Sequence, residues 1–77
     1  MQNHLEALIR MRRRLANGTA KDLRVTHGLA RGEVAQTLGV TYQAVQKWEL
    51  GDRIPRGDHA VAYARLLDRL ASLEAQR

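Results

Sequence analysis

The residues Leu38-Gly39-Val40-Thr41 end one helix and begin another with almost no chain between them. This constrains the fold more than any other feature. Gly39 suits the left-handed conformation that stops a helix, and Thr41 is a good N-cap for the next one. Helices joined by so short a glycine-led turn cannot lie parallel: they cross steeply, and the second projects from the body of the domain. That second helix is predicted over Tyr42 to Leu50. Gly51-Asp52 ends it, and Pro55 blocks regular hydrogen bonding in the exit loop.

The rest of the chain reads as further helix. Residues 4 to 16 carry Leu5, Leu8, Ile9, Arg12 and Leu15 at helical spacing, which predicts one buried face. Asn17-Gly18 is a stop. Thr19 and Asp22 form a cap-x-x-acid start for a short second helix lined by Ala20, Leu23 and His27. After Gly28, a third helix is predicted from about Arg31 to Leu38, burying Val34, Ala35 and Leu38. The last segment, about Gly57 to Ala75, shows a stripe of Ala60, Tyr63, Leu66, Leu67, Leu70 and Leu73. No strand-like alternation and no repeat is visible. The expected fold is all-α: a compact five-helix arrangement, with a basic helical extension over 1–18 and a single compact unit over 19–77 that ends in the long last helix.

At 77 residues the chain has room for one small domain. It is 44% hydrophobic but only 4% aromatic, so its core must be aliphatic around Trp48. No cysteine is present, which excludes disulfides and cysteine-ligated zinc. His4, His27 and His59 lack metal-ligand spacing, and no cofactor is expected. A formal net charge of +5 suggests a polyanionic partner, nucleic acid first. No apolar run is long enough to span a bilayer, and arginines 10, 12, 13 and 14 interrupt any secretory signal. A soluble cytoplasmic protein, associated with the nucleoid through DNA, is the expectation.

On the helix from 42 to 50, Val45 and Trp48 share an inward phase. Tyr42, Gln43, Gln46 and Lys47 form the opposite, solvent-facing stripe. Glutamine can pair with the major-groove edge of adenine, lysine reaches guanine acceptors or a phosphate, and a tyrosine ring can lie on a thymine methyl.

With these residues in place the chain resembles the Cro/repressor helix-turn-helix family, also called XRE or lambda-repressor-like. Its pattern is matched by Leu23-Arg24, Gly28-Leu29, Ala35-Gln36-Thr37-Leu38-Gly39-Val40 and Trp48-Glu49-Leu50-Gly51-Asp52-Arg53-Ile54-Pro55, covering residues 19 to about 70. The resemblance implies a structural ion pair between Arg24 and Glu49. It also implies base contacts from Tyr42, Gln43, Gln46 and Lys47, and phosphate contacts from Arg31, Thr41, Arg53 and Arg56. The family usually carries glutamine at the Arg31 position, so arginine there favours a plain phosphate clamp. Gly32 behind it weakens the helix start by about 1 kcal/mol.

The function these features imply is a sequence-specific double-stranded-DNA-binding regulator, a repressor acting as a homodimer on a palindromic operator. The competing expectation is an antitoxin-like or adaptor module that binds a protein partner, with DNA binding secondary. The N-terminal arginines fit three roles: a DNA-contacting arm, a docking surface for the last helix, or a solvated basic face. No small-molecule ligand is expected. No catalytic constellation is visible, since there is no cysteine nucleophile and no phosphate-cradling glycine loop, and the acidic residues number only eight.

Overall fold

The computed structural model describes residues 4–76. Five helices follow one another: α1 (His4–Ala16), α2 (Thr19–Thr26), α3 (Arg31–Leu38), α4 (Tyr42–Leu50) and α5 (Gly57–Ala75). The described residues contain no strand. The all-α, lambda-repressor-like reading is thus the observed one, with α3 and α4 bounded as the capping signals predict.

Gly39 closes α3 at φ 72°, and its N–H and that of Val40 bond back to Gln36 and Ala35. No atom lies within 4 Å of where a Cβ would stand, so what demands glycine is the left-handed backbone and not space. Thr41 then caps α4, its hydroxyl accepting from the Ala44 N–H at 3.1 Å. At the start of α3 the Glu33 carboxylate accepts from the Ala30 N–H at 2.8 Å, which supplies half of a capping box without a polar N-cap.

Two local expectations are corrected. Thr19 does not cap α2: Gly18 occupies the N-cap position in the left-handed region, and the Asn17 side chain accepts from the Thr19 N–H. The buried face of α1 is also rotated from the leucine-based reading. Ala7 and Met11 are buried, Leu8 and Leu15 pack at the edge of the core, and Arg12 is exposed. Leu5 and Ile9 lie largely in solvent, 60% and 38% exposed. Small residues on both sides of the seam explain the shift. Ala7 on α1 and Ala60 and Ala64 on α5 all belong to the core, and close approach of two helices favours alanine over leucine at the contact.

The long α5 is the spine on which the other helices rest. Tyr63, Ala64, Leu67 and Leu70 are buried along it, whereas Leu73 near its end is 43% exposed. His27, at the end of α2, donates from Nε2 to the Leu70 carbonyl at 3.0 Å and ties α2 to this spine. Of the three roles open to the N-terminal arginines, Arg10 and Arg14 take docking. Arg10 reaches both oxygens of Asp68 on α5, at 3.0 and 2.9 Å, and Arg14 reaches Oδ1 at 2.6 Å.

Arg10 and then Arg14 hold the Asp68 carboxyl below its ordinary range against an opposing desolvation effect. A lowered folded-state pKa stabilises the fold above the unfolded carboxylate value of about 4, and that contribution is lost as pH falls through the folded value. Asp68→Asn should therefore lower Tm at pH 7 by about 2–5 °C. The gap to the wild type should close in acid, once pH falls below the lowered folded-state value and both side chains are neutral. Thermal melts followed by circular dichroism at pH 7 and in acid check this.

Candidate nucleic-acid interface

The position of α4 is fixed from behind. Val45 is fully buried and Trp48 is 4% exposed, with its ring centroid 5.0 Å from that of Tyr63 on α5. Inward-facing Trp48 is a core residue, as its phase predicts. Burial, and secondarily the charge on Glu49, push the Tyr63 hydroxyl well above its ordinary pKa, which keeps it neutral.

Glu49, on the same helix, has a side chain only 2% exposed. Its carboxylate accepts from Arg24 Nε at 2.6 Å and Nη2 at 3.0 Å, a bidentate contact from α2. Arg24 also donates through Nη1 to the Leu29 carbonyl at 2.9 Å, fixing the loop between α2 and α3. A third contact arrives from the start of α3, where Arg31 Nε donates to Glu49 Oε1 at 3.0 Å. One carboxylate therefore joins three helices. Tyr42 and then Glu49 raise the Arg31 guanidinium above its already high pKa, so it stays charged.

The Arg24–Glu49 contact has the geometry that the sequence pattern implies. The Arg31 link was not foreseen, because at the start of a helix an arginine reads as a solvent-facing phosphate clamp. The available signal was that Arg31 stands at the very position where the family usually carries a glutamine that props a neighbouring side chain. In this structure Arg31 is 25% exposed at its side chain and turned toward Glu49.

The outer face of α4 is polar. Tyr42, Gln43 and Lys47 are exposed and Gln46 is half-buried, whereas Val45 and Trp48 are buried. Thr41 is exposed at the head of this face, and Arg53 and Arg56 are exposed in the loop below it. A shallow groove bordered by Ala44, Trp48, Arg53, Ile54, Arg56 and His59 joins the helix to that loop. The structure thus brings the four residues proposed for base reading onto one helix, and sets Arg53 and Arg56 beside it. Among the described residues no cluster of histidine and carboxylate side chains could hold a metal ion, and no helix is long and apolar enough to cross a membrane.

A crossed α3–α4 pair, a Thr-capped α4 with a polar outer face and a buried Arg–Glu brace define a helix-turn-helix protein. Comparison with known families agrees: residues 21–71 match the family described as Helix-turn-helix, and the chain belongs to it, in its XRE or lambda-repressor-like class. This is a family of DNA-binding transcription regulators. The match leaves α1 outside it. No curated protein and no solved structure matches the chain significantly.

Removing the carboxylate should release all three helices at once. Glu49→Ala leaves Arg24 buried without its partner and is expected to cost about 3–5 kcal/mol. Lys47→Ala on the outer face should change stability by less than about 0.5 kcal/mol. Urea unfolding of the two variants separates brace from recognition face.

Proposed function

We propose that the chain is a sequence-specific double-stranded-DNA-binding transcriptional repressor, acting as a homodimer on a palindromic operator. The observation that carries this reading is the outer face of α4. Tyr42, Gln43 and Lys47 stand exposed on a helix whose inner face is locked by Val45, Trp48 and Glu49. A rigid helix with long hydrogen-bonding side chains on one side fits the major groove, where each base pair presents a distinct donor and acceptor pattern.

In this reading Gln43 and Gln46 pair with adenine edges, Lys47 reaches a guanine or a phosphate, and Tyr42 lies on a thymine methyl or donates to a phosphate. Thr41, Arg53 and Arg56 hold the backbone. Arg31 contributes to a phosphate with the N–H groups that Glu49 does not occupy. Two copies would place their α4 helices about 34 Å apart, one turn of duplex. A cytoplasmic location follows from this role. The protein-interaction reading draws support from Leu5 and Ile9, exposed on α1. It is the weaker one, since Leu8 and Leu15 of the same helix pack on the core and scattered apolar side chains are ordinary on a surface.

Selection of bound sequences from random duplex DNA tests the proposal. A palindromic consensus bound at least about a thousandfold above random DNA is expected. Gln43→Ala should then lose about 1–3 kcal/mol of discrimination at one base pair of each half-site, with little change on random DNA. Binding without any consensus would overturn sequence reading, and a single unrepeated half-site would overturn the dimer.

A further inference from the structure

Three surface grooves of the molecule meet at one side chain, Ile54, in the loop between α4 and α5. The first runs between α1 and the end of α4, with a volume of about 210 Å³, and has Arg12 and Arg53 on its walls. The second, along the start of α5, is bordered by Arg12 and Arg56. The third, described above, has Arg53 and Arg56 and reaches α4 through Ala44. Arg12, Arg53 and Arg56 therefore surround a single exposed isoleucine, and their group is continuous with the flank of α4.

All three arginines are exposed, and none is paired with a carboxylate among the described residues. Asp58 borders the second groove and is the one acidic residue on any of the three. The contrast within α1 is informative. Arg10 and Arg14 lie four residues apart on the face turned to α5 and are consumed by Asp68. Arg12, between them in sequence, faces elsewhere at helical spacing and is carried to the exit loop of α4. The Asp68 contacts thereby hold α1 in the orientation that delivers Arg12 beside Arg53 and Arg56.

We infer that Arg12 is a DNA-contacting residue: α1, which the family match does not include, adds a phosphate contact to the backbone clamp formed by Arg53 and Arg56. The ligand is the phosphodiester backbone of duplex DNA flanking the bases that α4 reads. Guanidinium groups suit it because they donate to phosphate oxygens in a fixed fork, and a group of them without internal carboxylate partners attracts a polyanion strongly. The inference rests on the DNA-binding reading of α4 and extends it to a helix outside the shared domain.

The test is the salt dependence of binding by the full chain, on the selected duplex and on a random duplex, for wild type and three variants. Arg12→Gln should weaken both complexes alike, roughly five- to tenfold at 0.1 M salt, and reduce the slope of log K against log salt by about 0.9. Arg12→Lys should largely restore both. Arg69→Gln removes an equal charge from an exposed position well along α5 and should leave the slope unchanged. Circular dichroism melts confirm that each variant is folded.

An unchanged slope in Arg12→Gln would overturn the contact, whether affinity holds or falls, since a fall without a slope change means a packing or assembly role. An equal slope change in Arg69→Gln would also overturn it, showing a general effect of net charge. A wild-type chain that binds no duplex at any salt would instead overturn the α4 reading, and this inference with it.

Discussion

A single buried carboxylate, that of Glu49, carries the architecture of the recognition unit. Three short helices, α2, α3 and α4, bury only a few apolar side chains each: Ala20 on α2, Val34 and Ala35 on α3, Val45 and Trp48 on α4. Glu49 accepts two hydrogen bonds from Arg24 and one from Arg31, so one side chain sets the relation among all three helices. Such a cluster is not a strong source of net stability, because desolvating the charges offsets most of their attraction. Its value is directional. A bidentate guanidinium–carboxylate contact has one good geometry, whereas apolar packing would tolerate several. The cluster also carries one more positive charge than negative, close to the proposed position of a polyanion.

The second electrostatic fastening, around Asp68, is of a different kind. Its three charges lie at the surface, with side-chain exposures of 47% for Arg10, 19% for Arg14 and 29% for Asp68, so salt and acid weaken it readily. It orients a helix already held by Ala7 and Met11 and is not needed to build the core. The protein thus places a nearly buried carboxylate where three helices meet, and a more exposed one where a single helix is oriented on the spine.

Much of this was legible in the sequence, and the failures have physical causes. The helices α3 and α4 were readable because their ends are written in local chemistry: Gly39, Thr41 and Gly51 each act within a few residues. The Arg24–Glu49 brace was legible only through resemblance, since no local rule relates residues so far apart. The orientation of α1 was misread because periodicity weights large apolar side chains, while the actual seam is built from Ala7 and Met11 against alanines of α5. The Arg31–Glu49 link is not legible for a related reason: whether an arginine at a helix start also turns inward depends on a carboxylate supplied by another helix. Local signals reveal where elements begin and end. Which face is used depends on the partner.

Trp48 is the sole tryptophan of the chain and lies under α4, its ring against Tyr63. Its emission is therefore an intrinsic optical gauge of the seam between the reading helix and the spine. Because the indole is buried on the inner side of α4, the gauge responds to loosening of that seam. Loss of α4 from its seat is thus readable in an unlabelled sample of the chain.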